Sequence, residues 1–364
     1  MRDCQPAEFM TNSTTRMFLT RWGAAVAVWL SCAGVHGQTY APDRLPPVIA
    51  TDDPLFGPPT LGSGGVAFQS TGPEQAIAAT ETEIDAAMQA EITAEQLGSP
   101  PKLVIPPKPG IFQEDGILVS WLPRGKSGFG SLDVDVWSTF GFPFPTREAP
   151  LLVTPEFENH YLDGPRSPAD LPSEIYDSSV QFRHMRRFSP RFAMDLAVTP
   201  GWHGDYDGNF SDGFRLPSRA LGIWTWNPEV QLLLGVLYMD RNDVNWLPAG
   251  GVIWSPDNDS RYELIVPRPR IARRFYADYE SEEWWYVSGE LGGGTYAVQR
   301  ESGAQDIVTL SDLRLIFGLE RKTLCGFNRR LELGYVFARQ IEYESDTPEF
   351  EPDDTVMVRL GGTY

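Results

Sequence analysis

Beyond residue 37 the sequence has no apolar run approaching the roughly 20 residues that a membrane-spanning helix needs. Cysteine is nearly absent, with 3 in 364 residues, at Cys4, Cys32 and Cys325. The first absence excludes a bundle of spanning helices; the second excludes a disulfide scaffold and a cysteine metal cluster. Positive charge is also short. Lys and Arg number 30 against 49 Asp and Glu, a formal net charge of -19 at pH 7, which repels phosphate backbones and argues against nucleic acid as a partner. Histidine is scarce too, with 4 residues. No HExxH or other close ligand pair occurs, so spacing points to no metal site and no cofactor.

What the chain does hold is rings: 11 Trp, 13 Tyr and 20 Phe, at a mean hydropathy of -0.27. It is aromatic without being greasy. The one sizeable apolar run is RWGAAVAVWLSCAGVHGQ near the start. Its basic lead (Arg16, Arg21), short apolar centre from Trp22 to Leu30 and small residues before Gln38 read as a secretory signal peptide over residues 1–37, cleaved after Gly37. A membrane anchor would need a longer run, and a lipid-modified Cys32 would need leucine one position away from Leu30. Residues 38–114 are a Pro/Gly-rich linker around PEQAIAATETEIDAAMQAEITAEQ, where Ile77, Ile84, Met88 and Ile92 predict one amphipathic helix near 74–97.

From residue 115 the period becomes two. Phe192, Met194, Leu196, Val198 and Trp202 share one face of RFAMDLAVTPGW, and Leu331, Leu333, Tyr335, Phe337 and Ile341 one face of RLELGYVFARQIEY. In GSLDVDVWSTF, Leu132, Val134, Val136 and Phe140 stand opposite Asp133 and Asp135. A soluble sandwich or barrel would bury the apolar face, whereas a membrane barrel turns it to lipid around a polar or small lumen. Alternation alone does not choose between them. The export signal, the lack of a spanning helix, the ring content and aromatics at segment ends (Trp202, Trp226, Tyr238, Trp254, Tyr343) favour the membrane form. So does the ending VMVRLGGTY, where Val356, Val358, Leu360, Gly362 and Tyr364 alternate up to an aromatic last residue. That pattern resembles the signal by which outer-membrane barrels engage the barrel assembly machinery. Fourteen strands over residues 115–364 place WNP, CGFN and PDNDS in short inner turns, and HGDYDGNFSDG and ESDTPEFEPDD in long outer loops. A count of twelve, without strands near 116–123 and 270–278, inverts the first half.

The segment GVLYMDRNDVNWLPAGGVIWSPDNDSRYELIVPRPRIARRF, with LLVTPEF, LPSEIYDSSVQFRH, LAVTPGWHGDY and ELGYVFARQIEY, resembles an uncharacterised family of predicted bacterial outer-membrane β-barrel proteins, a domain of unknown function. The resemblance implies an all-β antiparallel transmembrane barrel in contact with outer-membrane lipid, and implies no activity.

Two constellations carry candidate chemistry. In GWHGDYDGNFSDG, His203 stands near Asp205, Asp207 and Asp212; a solvated acidic loop, loosely holding Ca²⁺ at most, explains this better than catalysis, and no enzyme is expected. Arg261, Arg268, Arg270, Arg273 and Arg274 cluster with Asp240, Arg241, Asp243 and Glu263. Arginine on the lipid face costs ~2–4 kcal/mol at the midplane. The cluster therefore lines an anion-attracting constriction, pairs with carboxylates in a filled lumen, or, for Arg273 and Arg274, meets headgroups at the rim. The function expected is a passive porin-like channel for small solutes, with a structural or binding barrel whose plugged lumen displays its outer loops as the alternative.

Deleting Tyr364 is expected to reduce assembled barrel sharply while export across the inner membrane continues, and Tyr364→Phe to be tolerated. Heat-modifiable migration on gels checks this; normal migration of the truncated chain contradicts it.

Overall fold

The computed structural model describes residue 103 and residues 110–364 apart from 127, 147–148, 165–169, 301, 325 and 346–347. The expected signal peptide and the helix near 74–97 lie outside the described residues.

Fourteen antiparallel strands form a closed ring. They are β1 Phe112–Leu122, β2 Gly130–Thr146, β3 Ala149–Asp163, β4 Glu174–Ser189, β5 in two pieces Phe192–Val198 and Gly201–Gly204, and β6 in two pieces Phe214–Arg215 and Ser218–Thr225. There follow β7 Val230–Tyr238, β8 Trp246–Trp254, β9 Ser260–Val266, β10 Arg270–Ala277, β11 in two pieces Ser281–Gly292 and Thr295–Gln299, β12 Gln305–Thr323, β13 Asn328–Tyr343 and β14 Thr355–Thr363. The pieces of each broken strand keep one neighbour: both parts of β5 pair with β4, and both parts of β11 with β12. The strand count and nearly every segment agree with the alternation. The ring starts at Phe112, slightly ahead of residue 115.

Closure is made by β14, which pairs with β13 on one edge and with β1 on the other, from Gly116↔Thr363 to Trp121↔Val358. Mutual backbone bonds between Asp115 and Tyr364 extend the seam to the last residue, at 3.0 and 2.9 Å. The connections then segregate. By strand direction, those after β2, β4, β6, β8, β10 and β12 lie at the end that carries Phe112 and Tyr364, and the longer connections, after β1, β3, β5, β7 and β13, lie at the other. In the turn after β10, Asp278 accepts the backbone N–H groups of Glu280 and Ser281 and the Tyr276 hydroxyl, which holds its carboxyl below the usual range.

The faces are inverted relative to a soluble barrel. Along β12, Leu313, Leu315, Phe317 and Leu319 are exposed, while Ile316 and Glu320 are buried. On β14, Leu360 is 54% exposed and its neighbour Arg359 only 4%. The outward stripe is apolar and the inward one largely charged, as lipid outside requires. Rings border the stripe at both ends: Tyr238 lies tilted against Trp246 at 4.7 Å by the long loops, and Trp254 stacks on Tyr262 at 5.0 Å by the turns.

Several bulges interrupt strict alternation, and one of them moves a residue off its expected face. Ala338 takes a left-handed φ of 49°, and the β12–β13 register slips between Ser311 and Leu313. This bulge turns Ile341 inward, where it is 1% exposed, rather than leaving it on the face of Leu331 and Leu333.

Leu315→Arg is expected to lower barrel stability by about 2–4 kcal/mol in urea titrations of protein folded into vesicles. An unchanged midpoint would contradict the placement of this face in lipid.

Candidate functional site

The lumen encloses a cavity of about 330 Å³ whose two sides differ in charge. The β2–β4 side presents Asp133, Asp135, Glu156, Glu158, His160 and Asp177, and the β11–β14 side presents Glu290, Arg314, Arg339 and Arg359.

The arginines of the second side are tied to carboxylates or carbonyls. Arg359 reaches Glu290 and Glu332, both at 3.0 Å, and the Ser120 hydroxyl at 3.0 Å. Arg314 binds Asp312 at 2.6 Å and Glu290 at 3.2 Å. Arg339 donates to the carbonyls of Asp353 and Phe129. On the acidic side, His160 stands between Asp133 (Nδ1, 2.9 Å) and Asp177 (Nε2, 3.2 Å), with the Tyr296 hydroxyl 3.4 Å from Nε2. His203 Nδ1 lies 2.6 Å from the other oxygen of Asp177.

Strand register builds this group. Asp135, Glu158, Asp177 and His203 form one rung across β2, β3, β4 and β5, and Asp133 is directly opposite His160 on the next. The signal was present in the sequence, since Glu156, Glu158 and His160 alternate with Phe157 and Tyr161, but alternation does not say which residues of separate strands meet. His203 is thus an Asp177 partner rather than a member of the Asp205–Asp212 loop. Its Nε2 is buried and lacks a hydrogen-bond partner, and lies close to Gly201. Asp205 instead accepts the backbone N–H groups of Asp207, Gly208 and Gln299.

The arginine cluster divides between the two faces. Arg261 pairs with Glu263, Arg270 with Glu320 at 2.6 Å, and Arg274 with Asp259 and Glu282 at 2.8 and 2.9 Å, all inside the ring. Arg268 lines the cavity. Asp240, at φ 52°, accepts the Leu216 N–H and the Tyr238 hydroxyl. Arg273 is exposed, on the outward face between Ile271 and Phe275; the alternation of those two apolar residues around it was legible, and separates it from Arg274.

Arg241 has a role of its own. β9 and β10 are short: β10 meets β11 only as far as Arg270↔Ser288, leaving the upper part of β11 without a neighbour on that edge. Loop 239–245 fills the gap. The buried Arg241 guanidinium pairs with Asp243 and donates to the carbonyls of Gly292, Gly293 and Leu310. Those carbonyls are free because the chain breaks strand at Gly293, whose φ of 83° sets it so near Leu310 that a Cβ would lie 2.0 Å from that carbonyl oxygen. Beyond the break, Thr295–Gln299 leans across the mouth to β5. Ala297 bridges Gly204, and the Asp205 N–H donates to the Ala297 carbonyl at 3.2 Å. Beneath this crossing Phe129, Leu162, Ile175, Tyr296, Val298, Val308 and Ile341 form a buried apolar cluster.

A closed strand ring with lipid-type residues outside and ion pairs inside defines a membrane-type β-barrel protein. No family model matches the chain, and no curated protein is similar to it. Among solved structures it is similar to a NanC porin (7% identity, 69% of this chain and 98% of that chain, TM-score 0.35). It is also similar to LpxR from Salmonella typhimurium (8% identity, 68% and 99%, TM-score 0.34) and to a bacterial polysaccharide outer membrane secretin (9%, 69% and 97%, TM-score 0.34). The class rests on the strand ring and its faces rather than on these likenesses.

Arg241→Gln is expected to loosen the staple over the short hairpin. Hydrogen exchange of the Leu310 amide, which donates to the Gly294 carbonyl at 2.9 Å, should then speed up about tenfold or more, the equivalent of ~1.4 kcal/mol of local opening. Unchanged protection would show that loop 239–245 is held by other contacts.

Proposed function

We propose that the protein is an outer-membrane barrel with a filled lumen, which binds a small polar ligand in its interior and displays its long loops, rather than a free-running pore. The observation that carries this reading is the crossing of Thr295–Gln299 to Gly204 and Asp205, underlain by the apolar cluster at the mouth. The opposite half is occupied as well. Leu122, Ala272, Trp284, Tyr286, Ile316, Val336 and Met357 pack together, with the Arg270–Glu320 and Arg274–Glu282 pairs beside them. The backbone N–H of Leu103, in the lead before β1, also donates to Glu282. Side chains and ion pairs together leave the interior as a compartment.

A passive porin-like channel is the second reading, favoured by the charged lining of the cavity. Single-channel recording separates the two. The wild type is expected to be nearly silent in a planar bilayer. Gly204→Val is expected to produce intermittent conductance steps, because a Cβ at Gly204 would lie 2.2 Å from the Ala297 carbonyl oxygen and must displace the crossing. Steady ohmic conductance of the wild type would contradict the compartment and establish the channel.

A further inference from the structure

The acidic side of the cavity crowds carboxylates together. Asp135, Glu158 and Asp177 face one another on adjacent strands of a single rung. Like charges in that relation repel, and in a lumen the repulsion is only weakly screened. Five carboxylates stand there, counting Asp133 and Glu156, with two imidazoles among them. Of the arginines opposite, Arg314 and Arg359 are engaged by Asp312, Glu290 and Glu332. Independently, Asp135 is 5% exposed and its Oδ1, on this rung, has no hydrogen-bond partner.

We propose that Glu158, His160 and Asp177 bind a divalent metal ion of the Zn²⁺ or Mn²⁺ class inside the barrel. One ligand atom from each lies within 4.8 Å of the others. His160 Nε2 and Asp177 Oδ2, 3.2 Å apart, are at the separation that two ligands share when each bonds one ion at about 2.1 Å. The supporting contacts are those a metal histidine requires. The other ring nitrogen, Nδ1, meets Asp133 at 2.9 Å, which fixes the ring and leaves Nε2 for the ion. The second oxygen of Asp177 is held by His203 Nδ1 at 2.6 Å. One imidazole among carboxylates selects a borderline ion over Ca²⁺. Three protein ligands leave positions for water or for an anionic ligand entering the cavity. The ligands come from β3 and β4, and only strand register brings them together.

This inference deepens the compartment reading and rests on it, but fails separately: a barrel silent in a bilayer can still bind no metal. The test is calorimetry on EDTA-stripped full-length mature protein in detergent, titrated in turn with ZnCl₂, MnCl₂ and CaCl₂, together with the visible spectrum of the Co²⁺-loaded protein. One equivalent of Zn²⁺ or Mn²⁺ is expected, with affinity at least tenfold above that for Ca²⁺. Glu158→Gln and His160→Gln should each weaken it tenfold or more, and His160→Gln should shift the Co²⁺ bands. Absence of wild-type binding, a preference for Ca²⁺, or binding and spectra unaltered in both folded variants would each overturn the site. The wild-type isotherm and spectrum decide the question even where a variant fails to assemble.

Discussion

Every strand of this barrel depends on its edges being met, because hydrocarbon offers no partner for a free amide or carbonyl. Here the requirement falls hardest on the seam, where β14 must satisfy β1 and β13 at once over Val358–Thr363. It falls again on the upper part of β11, which the short β9–β10 hairpin leaves open. The two problems are solved differently. The seam is closed by ordinary ladder bonds carried to Tyr364, whereas the open edge of β11 is satisfied by a buried arginine from loop 239–245 and by a crossing to Gly204 and Asp205. The crossing at the mouth is thus a consequence of backbone accounting.

The interior follows from the same geometry. With apolar side chains assigned to lipid, every second residue must be small, polar or charged and must find partners within the ring. Arg183 and Arg219 with Asp195, Arg270 with Glu320, and Arg359 with Glu290 and Glu332 meet that demand. Removing one member of such a pair strands the other in a poorly solvated space. On the acidic rung of β2–β5 three carboxylates stand side by side, and the buried Asp135 Oδ1 has no hydrogen-bond partner.

Much of the architecture was legible from alternation. Leu331, Leu333 and Tyr335 against Arg330, Glu332 and Gly334 define β13 and its faces without any tertiary knowledge. Pro and Gly clusters and acidic loops mark the turns, and fourteen strands are preferred over twelve because a count of twelve inverts the connections of the first half. Three features could not be read that way. The flip of Ile341 depends on a left-handed residue at Ala338, an uncommon conformation for alanine. The crossing at the mouth depends on β9 and β10 being short relative to β11, a property of register. The grouping of His160 and Asp177 with Asp133 and His203 joins residues from four strands, and no spacing along the chain encodes it.

The central claim is the inversion: apolar side chains outward into lipid, charged ones inward. Spin labels placed singly at residues 313–320 of β12, in a Cys325→Ser background, test it most directly through their collision rates with oxygen and with a polar nickel chelate in bilayers. The account predicts a period of two, with oxygen access high at 313, 315, 317 and 319 and low at the residues between. A period of two in the opposite phase, or no periodicity, would contradict it.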